Sequence, residues 1–381
     1  MMIVRRWEIA AVAGTVALGA CRKPPSPVVV MDKPEAVLDR TFHQVGNVIE
    51  LSDGRVALTE LSDKTFVFAD MKTGETTPVG VHADSIPPYD PAPGKHKLPG
   101  YVVHLSGDTV ALIDYAAART TLWNEQGKYL GLLGHDGIGG HNLAINIDAR
   151  GNSYKEDVRS VLGGLEPGQE LAFDSMSVLR VPRGDTIADT VAKLRLPPWG
   201  RGQFGEQMKM VSTIFAVRDI FGVLPDGSMW IARGTNNAVD WRSPDGKLSR
   251  GSSRDFTRIP VTQEEKDAFL TKLRQQMSRM GAPAGVELSY PFAEEKAPFT
   301  SGVTNPAGQV WLERSRAFGD SVPVWDIVGR DGREIGAVQF PKASSVAGFG
   351  PDGRVYVILR DGDGGQKVGR FVVKEQASQA R

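Results

Sequence analysis

The chain has 381 residues, of which 41% are hydrophobic and 24% charged, so it can bury a large core and is not globally disordered. Its 45 basic side chains balance 45 acidic ones. This neutral balance argues against nucleic acid as the main partner, because such binding draws on an excess of positive charge. A single cysteine excludes internal disulfides.

The N-terminus carries an export signal. Arg5 and Arg6 precede an apolar stretch over 9–20, which is too short to span a bilayer and predicts a signal peptide over 1–20. The sequence LGAC, ending at Cys21, resembles the lipobox of bacterial lipoproteins. The resemblance implies cleavage before Cys21, acylation of that residue, and no transmembrane helix in the mature protein. The alternative is an ordinary signal peptide with an incidental cysteine.

A polar, proline-rich segment over 21–35 predicts an extended tether between the lipid and the folded domain. We therefore expect a protein exported and anchored by lipid to the bacterial cell envelope. Arg22 stands where some lipoproteins carry the aspartate associated with inner-membrane retention. By that resemblance the periplasmic side of the outer membrane is favoured.

From Val45 onward one pattern recurs six times: apolar strand, tight turn, strand, loop, strand, glycine-containing turn, strand. The first tight turns are Asp53-Gly54, Gly107-Asp108, Gly151-Asn152, Asp226-Gly227, Ala307-Gly308 and Asp352-Gly353. The second turns are Thr73-Gly74, Gln126-Gly127, Arg183-Gly184, Asp245-Gly246 and Asp331-Gly332. Four strands in roughly 45 residues are typical of a propeller blade.

This region resembles the six-bladed β-propeller family, particularly bacterial lipoproteins with NHL-like or TolB-like blades. The fold predicted is all-β, with six four-stranded antiparallel blades over 36–375 and a disordered tail over 376–381. The sixth copy has only three strands. We expect 36–42 to supply the fourth, because this closes the last blade and removes an exposed sheet edge. We expect a monomer.

The two faces of such a ring differ. In an antiparallel blade the first and third turns open on one face, here called the tight-turn face. The turn between the second and third strands and the link to the next blade open on the other, here called the looped face. Nearly all long segments fall on the looped face: 81–100, 134–142, 159–174, 197–212 and 261–298. Binding sites are usually carried by such loops on a rigid scaffold.

One of these segments predicts a helix near 262–280. Thr262 and Glu265 form a capping-box pattern, and the helix ends before Gly281 and Pro283. An apolar stripe at helical spacing comprises Phe269, Leu270, Leu273, Met277 and Met280. The helix is either a lid over the channel mouth or a packing element on its own loops, and the second is favoured.

Four histidines on the looped face could bind zinc or transfer protons: His82, His96, His135 and His141. They lack the close spacing of a metal motif, so solvated loop histidines are favoured and no metal is expected, with calcium or zinc as the alternative. The run Asp361-Gly362-Asp363-Gly364-Gly365 resembles a calcium loop but lacks a downstream glutamate. A flexible turn is favoured there.

Further side chains of the looped face form a candidate docking patch for a protein, peptide or glycan of the envelope. They are Trp199, Arg201, Phe204, Tyr290 and Phe292. Trp230, Trp311 and Trp325 belong to blade strands and are expected in the core.

The first strands place polar side chains near the channel axis: Glu50, His104, Asn146, Arg218 and Asp219. Six-bladed rings include metal-dependent lactonases and hydrolases, so a hydrolase with a channel site is the alternative function. No serine-hydrolase elbow and no HExxH motif occurs in the sequence. The leading hypothesis is therefore a binding or scaffolding module that acts through its looped face, with no catalytic residues assigned.

Overall fold

The computed structural model describes residues 27–86, 90, 92–135, 146–157, 174–185, 187–279 and 286–373. The predicted signal peptide, Cys21, His141, Met280 and the expected tail lie outside the described residues. No helix in the described part of the chain is both long and apolar enough to span a membrane.

The described residues are mostly strands. The first fourteen strands are β1 (Val28–Val30), β2 (Ala36–Val37), β3 (Val45–Glu50), β4 (Val56–Glu60), β5 (Thr65–Ala69), β6 (Thr76–Pro78), β7 (Val81–His82), β8 (Lys95–His96), β9 (Pro99–His104), β10 (Thr109–Asp114), β11 (Arg119–Asn124), β12 (Tyr129–His135), β13 (Asn146–Ile147) and β14 (Ser153–Glu156).

The remaining elements are β15 (Ser175–Val181), β16 (Asp189–Arg195), β17 (Trp199–Phe204), β18 (Gln207–Ser212), β19 (Ile220–Val223), β20 (Met229–Arg233), β21 (Ala238–Arg242), β22 (Leu248–Ser249), the helix α1 (Gln263–Arg279), β23 (Leu288–Ser289), β24 (Phe299–Thr304), β25 (Val310–Arg314), β26 (Val324–Val328), β27 (Glu334–Gln339), β28 (Ser344–Phe349), β29 (Arg354–Arg360) and β30 (Gln366–Val372).

Within the described residues, six sheets each contain four antiparallel strands, and in five of them the four strands follow one another along the chain. In chain order, the first to fifth sheets are β3–β6, β9–β12, β13–β16, β19–β22 and β24–β27, and the sixth is β28–β30 with β2. The predicted all-β class and the four-stranded antiparallel sheets are confirmed, and their arrangement is propeller-like.

Glycines close the predicted hairpins. All six first tight turns contain a glycine with φ between 71° and 86°, a backbone region that glycine adopts without a Cβ clash: Gly54, Gly107, Gly151, Gly227, Gly308 and Gly353. The five second turns likewise place their glycines at positive φ. The Asp-Gly and related pairs therefore predicted the turn positions correctly.

Apolar clusters join each sheet to the next. Val102 of the second sheet packs in one cluster with Phe66 of the first, and Tyr356 of the sixth sheet packs in another with Val48 of the first. Further clusters connect the second to the third sheet, the third to the fourth, the fourth to the fifth and the fifth to the sixth. The three tryptophans expected in the core, Trp230, Trp311 and Trp325, are buried.

The N-terminal segment adds strands to the last two sheets. Strand β2 pairs antiparallel with β30, and Phe42 forms an isolated bridge with Gln366, so the prediction that 36–42 completes the sixth sheet is confirmed. Strand β1 pairs in parallel with β27. The expected tether was therefore wrong from Val28 onward, because three successive valines favour pairing with a sheet edge over an extended solvated chain.

Two of the long looped segments combine into one substructure. Strands β17 and β18 form a hairpin, and β23, from the other segment, pairs with β17 to make a third strand. The backbone of Ile214 bonds in both directions to the return segment, donating to Pro291 and accepting from Ala293. We call residues 197–216 together with 261–298 the inserted layer. Helix α1 lies in this layer, at the predicted position.

Candidate functional site

A cavity of about 530 Å³ opens where the inserted layer meets the starts of β19 and β24. Its volume lies within the range of small-molecule pockets, ~300–1,000 Å³. The remaining wall is the 315–320 turn of the fifth sheet. The cavity lies on the looped face, because its walls are the links between sheets and the turn that joins the second and third strands of the fifth sheet.

Aromatic side chains supply much of the apolar wall. Phe215, Phe299 and Phe318 line the cavity, and Phe318 is 50% exposed at its edge. Phe215 has φ = 61°, an unfavourable conformation for a residue with a large side chain. Such strain persists only where surrounding contacts hold it, and here the neighbouring Ile214 is fixed by its backbone hydrogen bonds.

A nearly buried ion pair fastens the cavity wall. Lys296 Nζ donates to Glu265 Oε1 at 2.5 Å and to the carbonyl oxygen of Arg316 at 2.6 Å. The same ammonium lies 5.5 Å from the centroid of the Phe215 ring, within cation–π range. The second carboxylate oxygen of Glu265, Oε2, is buried without a hydrogen-bond partner among the described residues. This oxygen therefore lies inside the wall and is not exposed to the cavity.

Arg218 gives the cavity a positive group that faces solvent. Its side chain is exposed and lines the cavity. Burial raises the pKa of Glu156 at the end of β14, and the charge of Arg218 opposes that shift. Arg316 is already paired, since its guanidinium lies 2.9 Å from Glu313. Arg218 is therefore the cavity-lining cation best placed to receive an anion.

The predicted docking-patch aromatics pack under helix α1. Phe269 of the helix contacts Tyr290 and Phe292 edge-to-face, with ring centroids 5.9 and 5.7 Å apart. Phe204 packs on Tyr290, and Phe215 packs on Phe269. All five rings are half-buried. The favoured interpretation of the helix stripe, packing on its own loops, agrees with these contacts, and the cluster also joins the helix to the cavity wall.

The other two docking-patch candidates lie on β17. Trp199 is half-buried with no partner for its indole nitrogen among the described residues, whereas Arg201 is exposed on the same strand. Neither residue lines the cavity.

The predicted channel residues do not converge on one site. Glu50 binds Arg354 of the sixth sheet, His104 lies 3.2 Å from Glu125, and Asp219 forms an ion pair with Arg233. Asn146 begins β13, and Arg218 lines the cavity. Each carboxylate in these pairs already has a partner, so they connect strands or sheets and do not form a shared metal cage.

Many acidic side chains hold the backbone. Glu60 accepts hydrogen bonds from the backbone NH groups of His43, Gln44 and Ser62. Asp114 holds Lys97 and Leu98 in the same way. His43, Glu60 and Asp63 are close enough to share a cation, but those backbone bonds occupy the Glu60 carboxylate.

Residues 361–365 form a turn, the interpretation that the sequence favoured over a calcium loop. Asp361 Oδ1 accepts from the backbone NH groups of Asp363 and Gly365, in the manner of an Asx turn.

The histidines are in different environments. His82 and His96 lie opposite each other in the parallel pair β7–β8, and His135 ends β12. His96 is only 3% exposed, so the expectation of a solvated loop histidine was wrong for this residue. Burial lowers the pKa of His96, and Asp114 opposes the shift.

Sequence reasoning missed several residues of the cavity. Glu265 was identified, but only as part of the cap, where its backbone NH lies 3.3 Å from Thr262 Oγ1. Lys296 and Phe215 carry no local signal. Lys296 meets Glu265 across 31 positions of the chain, so no short motif contains both.

Comparison with known proteins identifies structural similarity only. No family model and no curated protein matches the chain. Similar solved structures include a calcium-binding regucalcin from Agrobacterium tumefaciens, with 13% identity, coverage of 92% of this chain and 100% of that one, and a TM-score of 0.42. A gluconolactonase from Xanthomonas campestris has 12% identity, coverage of 91% and 99%, and a TM-score of 0.41. A protein described as exported, from Bacteroides fragilis, has 10% identity, coverage of 87% and 88%, and a TM-score of 0.42.

Proposed function

We propose that this protein is a lipid-anchored envelope module that binds a short peptide through its looped face. In this proposal the six four-stranded sheets are the blades of one closed ring over 36–375, and acylated Cys21 attaches the ring to the outer membrane. The cavity beside the inserted layer takes the part of the peptide that carries a carboxylate. Proteins of the envelope would supply such peptides. A glycan is the alternative ligand, and the test below distinguishes the two.

The cavity is the observation that carries this proposal. Its aromatic walls suit an apolar side chain, and exposed Arg218 suits a carboxylate because its guanidinium can form two parallel hydrogen bonds with one. A peptide end with an apolar side chain supplies both groups.

The test is ligand-induced stabilisation of the full chain. Tetrapeptides with apolar residues and a free C-terminal carboxylate are compared with the same peptides as C-terminal amides, and with acidic oligosaccharides. A ligand at 100 times its Kd stabilises the folded state by about 2.7 kcal/mol, which a thermal-unfolding scan detects. We expect the free-acid peptides to raise Tm and the amides to do so much less.

Arg218→Gln is the matched variant, with Arg201→Gln as its control, since both arginines are exposed but only Arg218 lines the cavity. We expect Arg218→Gln to lose the shift and Arg201→Gln to retain it. Equal shifts in the two variants would contradict the proposal, and stabilisation by oligosaccharides alone would replace the peptide by a glycan.

Metal-dependent lactone hydrolysis is the second candidate. The activities named for the similar structures accord with it better than with a scaffold, although at 8–13% identity and TM-scores of 0.39–0.42 we transfer no activity from them. Hydrolysis of gluconolactone by the full chain, measured with added calcium and with a chelator, tests it. Calcium-dependent turnover would favour the enzyme, and no turnover in either condition would remove it.

A further inference from the structure

Two histidines belong to the small parallel sheet of β7 and β8, which lies between the first and second sheets along the chain. The parallel register of β7 and β8 places His82 opposite His96, and their ring centroids are 6.3 Å apart. The Nδ1 atoms of both rings are buried and have no hydrogen-bond partner among the described residues. Buried polar atoms are rarely left unpaired, so two such nitrogens on neighbouring rings require an explanation.

The hydrogen bond of the His82 ring suits metal binding. His82 Nε2 lies 3.1 Å from Asp84 Oδ1, and a carboxylate can only accept a hydrogen bond there. The proton of neutral His82 is therefore held on Nε2, which leaves a lone pair on Nδ1. A carboxylate on the far nitrogen is the usual outer partner of a metal-bound histidine. The second ring, that of His96, is buried.

The unit that carries these rings is held in place. Arg119, 1% exposed, donates to the carbonyl oxygens of Asp90 and Lys95, and Ala83 donates its backbone NH to the His96 carbonyl. Gly80 has φ = 71°, and a Cβ there would lie 2.7 Å from the Trp123 ring and 3.3 Å from the His96 ring. The Trp123 and His96 rings can therefore lie this close to the backbone at position 80 only because that residue is glycine.

We propose that His82 and His96 form a two-imidazole site for a transition-metal cation of the copper and zinc group. Imidazole nitrogen is a preferred ligand of these ions, at about 2 Å from the metal. With metal–nitrogen bonds of about 2 Å, ring centroids 6.3 Å apart accommodate one ion when the two bonds are nearly in line, an arrangement that suits Cu⁺, whereas Zn²⁺ would require the rings to move closer together. His82 is 31% exposed as a side chain, so the site lies near the surface, although the Nδ1 atom itself is buried. Asp84 acts as a positioning residue for His82.

The test is metal titration of the full chain with Zn²⁺ and, under reducing conditions, with Cu⁺, followed by calorimetry and by measurement of bound metal after gel filtration. We expect one equivalent of Zn²⁺ or Cu⁺, lost in His82→Gln and in His96→Gln. Asp84→Asn is expected to weaken binding 10–100-fold, the usual effect of losing an outer partner. Because His82 is partly exposed, His82→Gln tests the site even if the buried variant fails to fold.

His43→Gln is the control, since His43 belongs to the other group of potential ligands, with Glu60 and Asp63. Full binding by His82→Gln, or loss of binding in His43→Gln alone, would overturn the proposal. Binding of neither ion by the wild-type chain would do the same. None of these results depends on the peptide proposal, whose variants are in a different part of the looped face.

Discussion

The carboxylate of Glu50 lies 2.9 Å from the guanidinium of Arg354, although the two residues are 304 positions apart in the chain. Glu50 ends β3, the first strand of the first sheet, and Arg354 begins β29 of the sixth. The hydroxyl of Tyr356 donates to the same carboxylate at 2.6 Å. This carboxylate therefore connects the first sheet to the last.

Replacing Glu50 by Gln should destabilise the fold. The Glu50 side chain is 4% exposed, and the change removes a charge-assisted hydrogen bond while leaving the Arg354 charge beside it. We expect a loss of about 2 kcal/mol in the free energy of unfolding, measured in urea. Arg258→Gln is the control because Arg258 and Glu295 form an exposed pair, worth about 0–1 kcal/mol. Equal losses in both variants would contradict the role given to Glu50.

Gly348→Ala should be among the most damaging small substitutions. A Cβ at Gly348 of the sixth sheet would lie 1.7 Å from the carbonyl oxygen of Val48 in the first, so the two sheets would have to separate. We expect a cost of about 3 kcal/mol or more, from the overpacking alone.

Gly336→Ala is the matched control for this prediction. Its Cβ would meet nothing closer than Ile327 at 4.0 Å, so the change should lie within about 1 kcal/mol of the wild type. Differential scanning of both variants measures the contrast. A Gly348→Ala protein with wild-type Tm would show that the first and sixth sheets are not in contact.

Glu156→Gln should change the pH dependence of stability. Burial raises the pKa of Glu156, so the folded chain holds this proton more tightly than the unfolded chain, whose value is near 4.5. Binding of this proton stabilises the folded state relative to the unfolded state at low pH. The stabilisation is lost as pH rises from about 4.5 through the folded pKa. We therefore expect the variant to be as stable as the wild type in acid and more stable at neutral pH.

Urea midpoints between pH 4 and pH 8 measure this difference. Glu287→Gln serves as the control, because Glu287 is exposed. A constant offset between Glu156→Gln and the wild type across this range would contradict the prediction.

Phe269→Ala should loosen helix α1 without unfolding the sheets. The ring contacts Phe215, Tyr290 and Phe292, and so joins the helix to the rest of the layer. We expect faster amide hydrogen exchange over 263–279 and little change in the strands of the first sheet. Lys272→Ala, on the exposed side of the same helix, should leave the exchange rates unchanged.

The sheets could be predicted because their signals are local. A turn such as Asp226-Gly227 lies within a few residues of both strands that it connects, so the repeat could be read directly from the chain. The hairpin of β17 and β18 was missed, since its strands contain two glycines and few β-branched residues. The burial of His96 and the pairing of Lys296 with Glu265 depend on contacts between distant segments, which short sequence patterns do not encode.

The three valines of β1 are paired in parallel with β27, so a pull on the N-terminal end of β1 along the strand axis would load all of these hydrogen bonds at once. Shear of this kind resists rupture far better than peeling from one end. In the proposed lipid-anchored protein, this edge of the fifth sheet would bear tension from the anchor before it reached β2 and the sixth sheet.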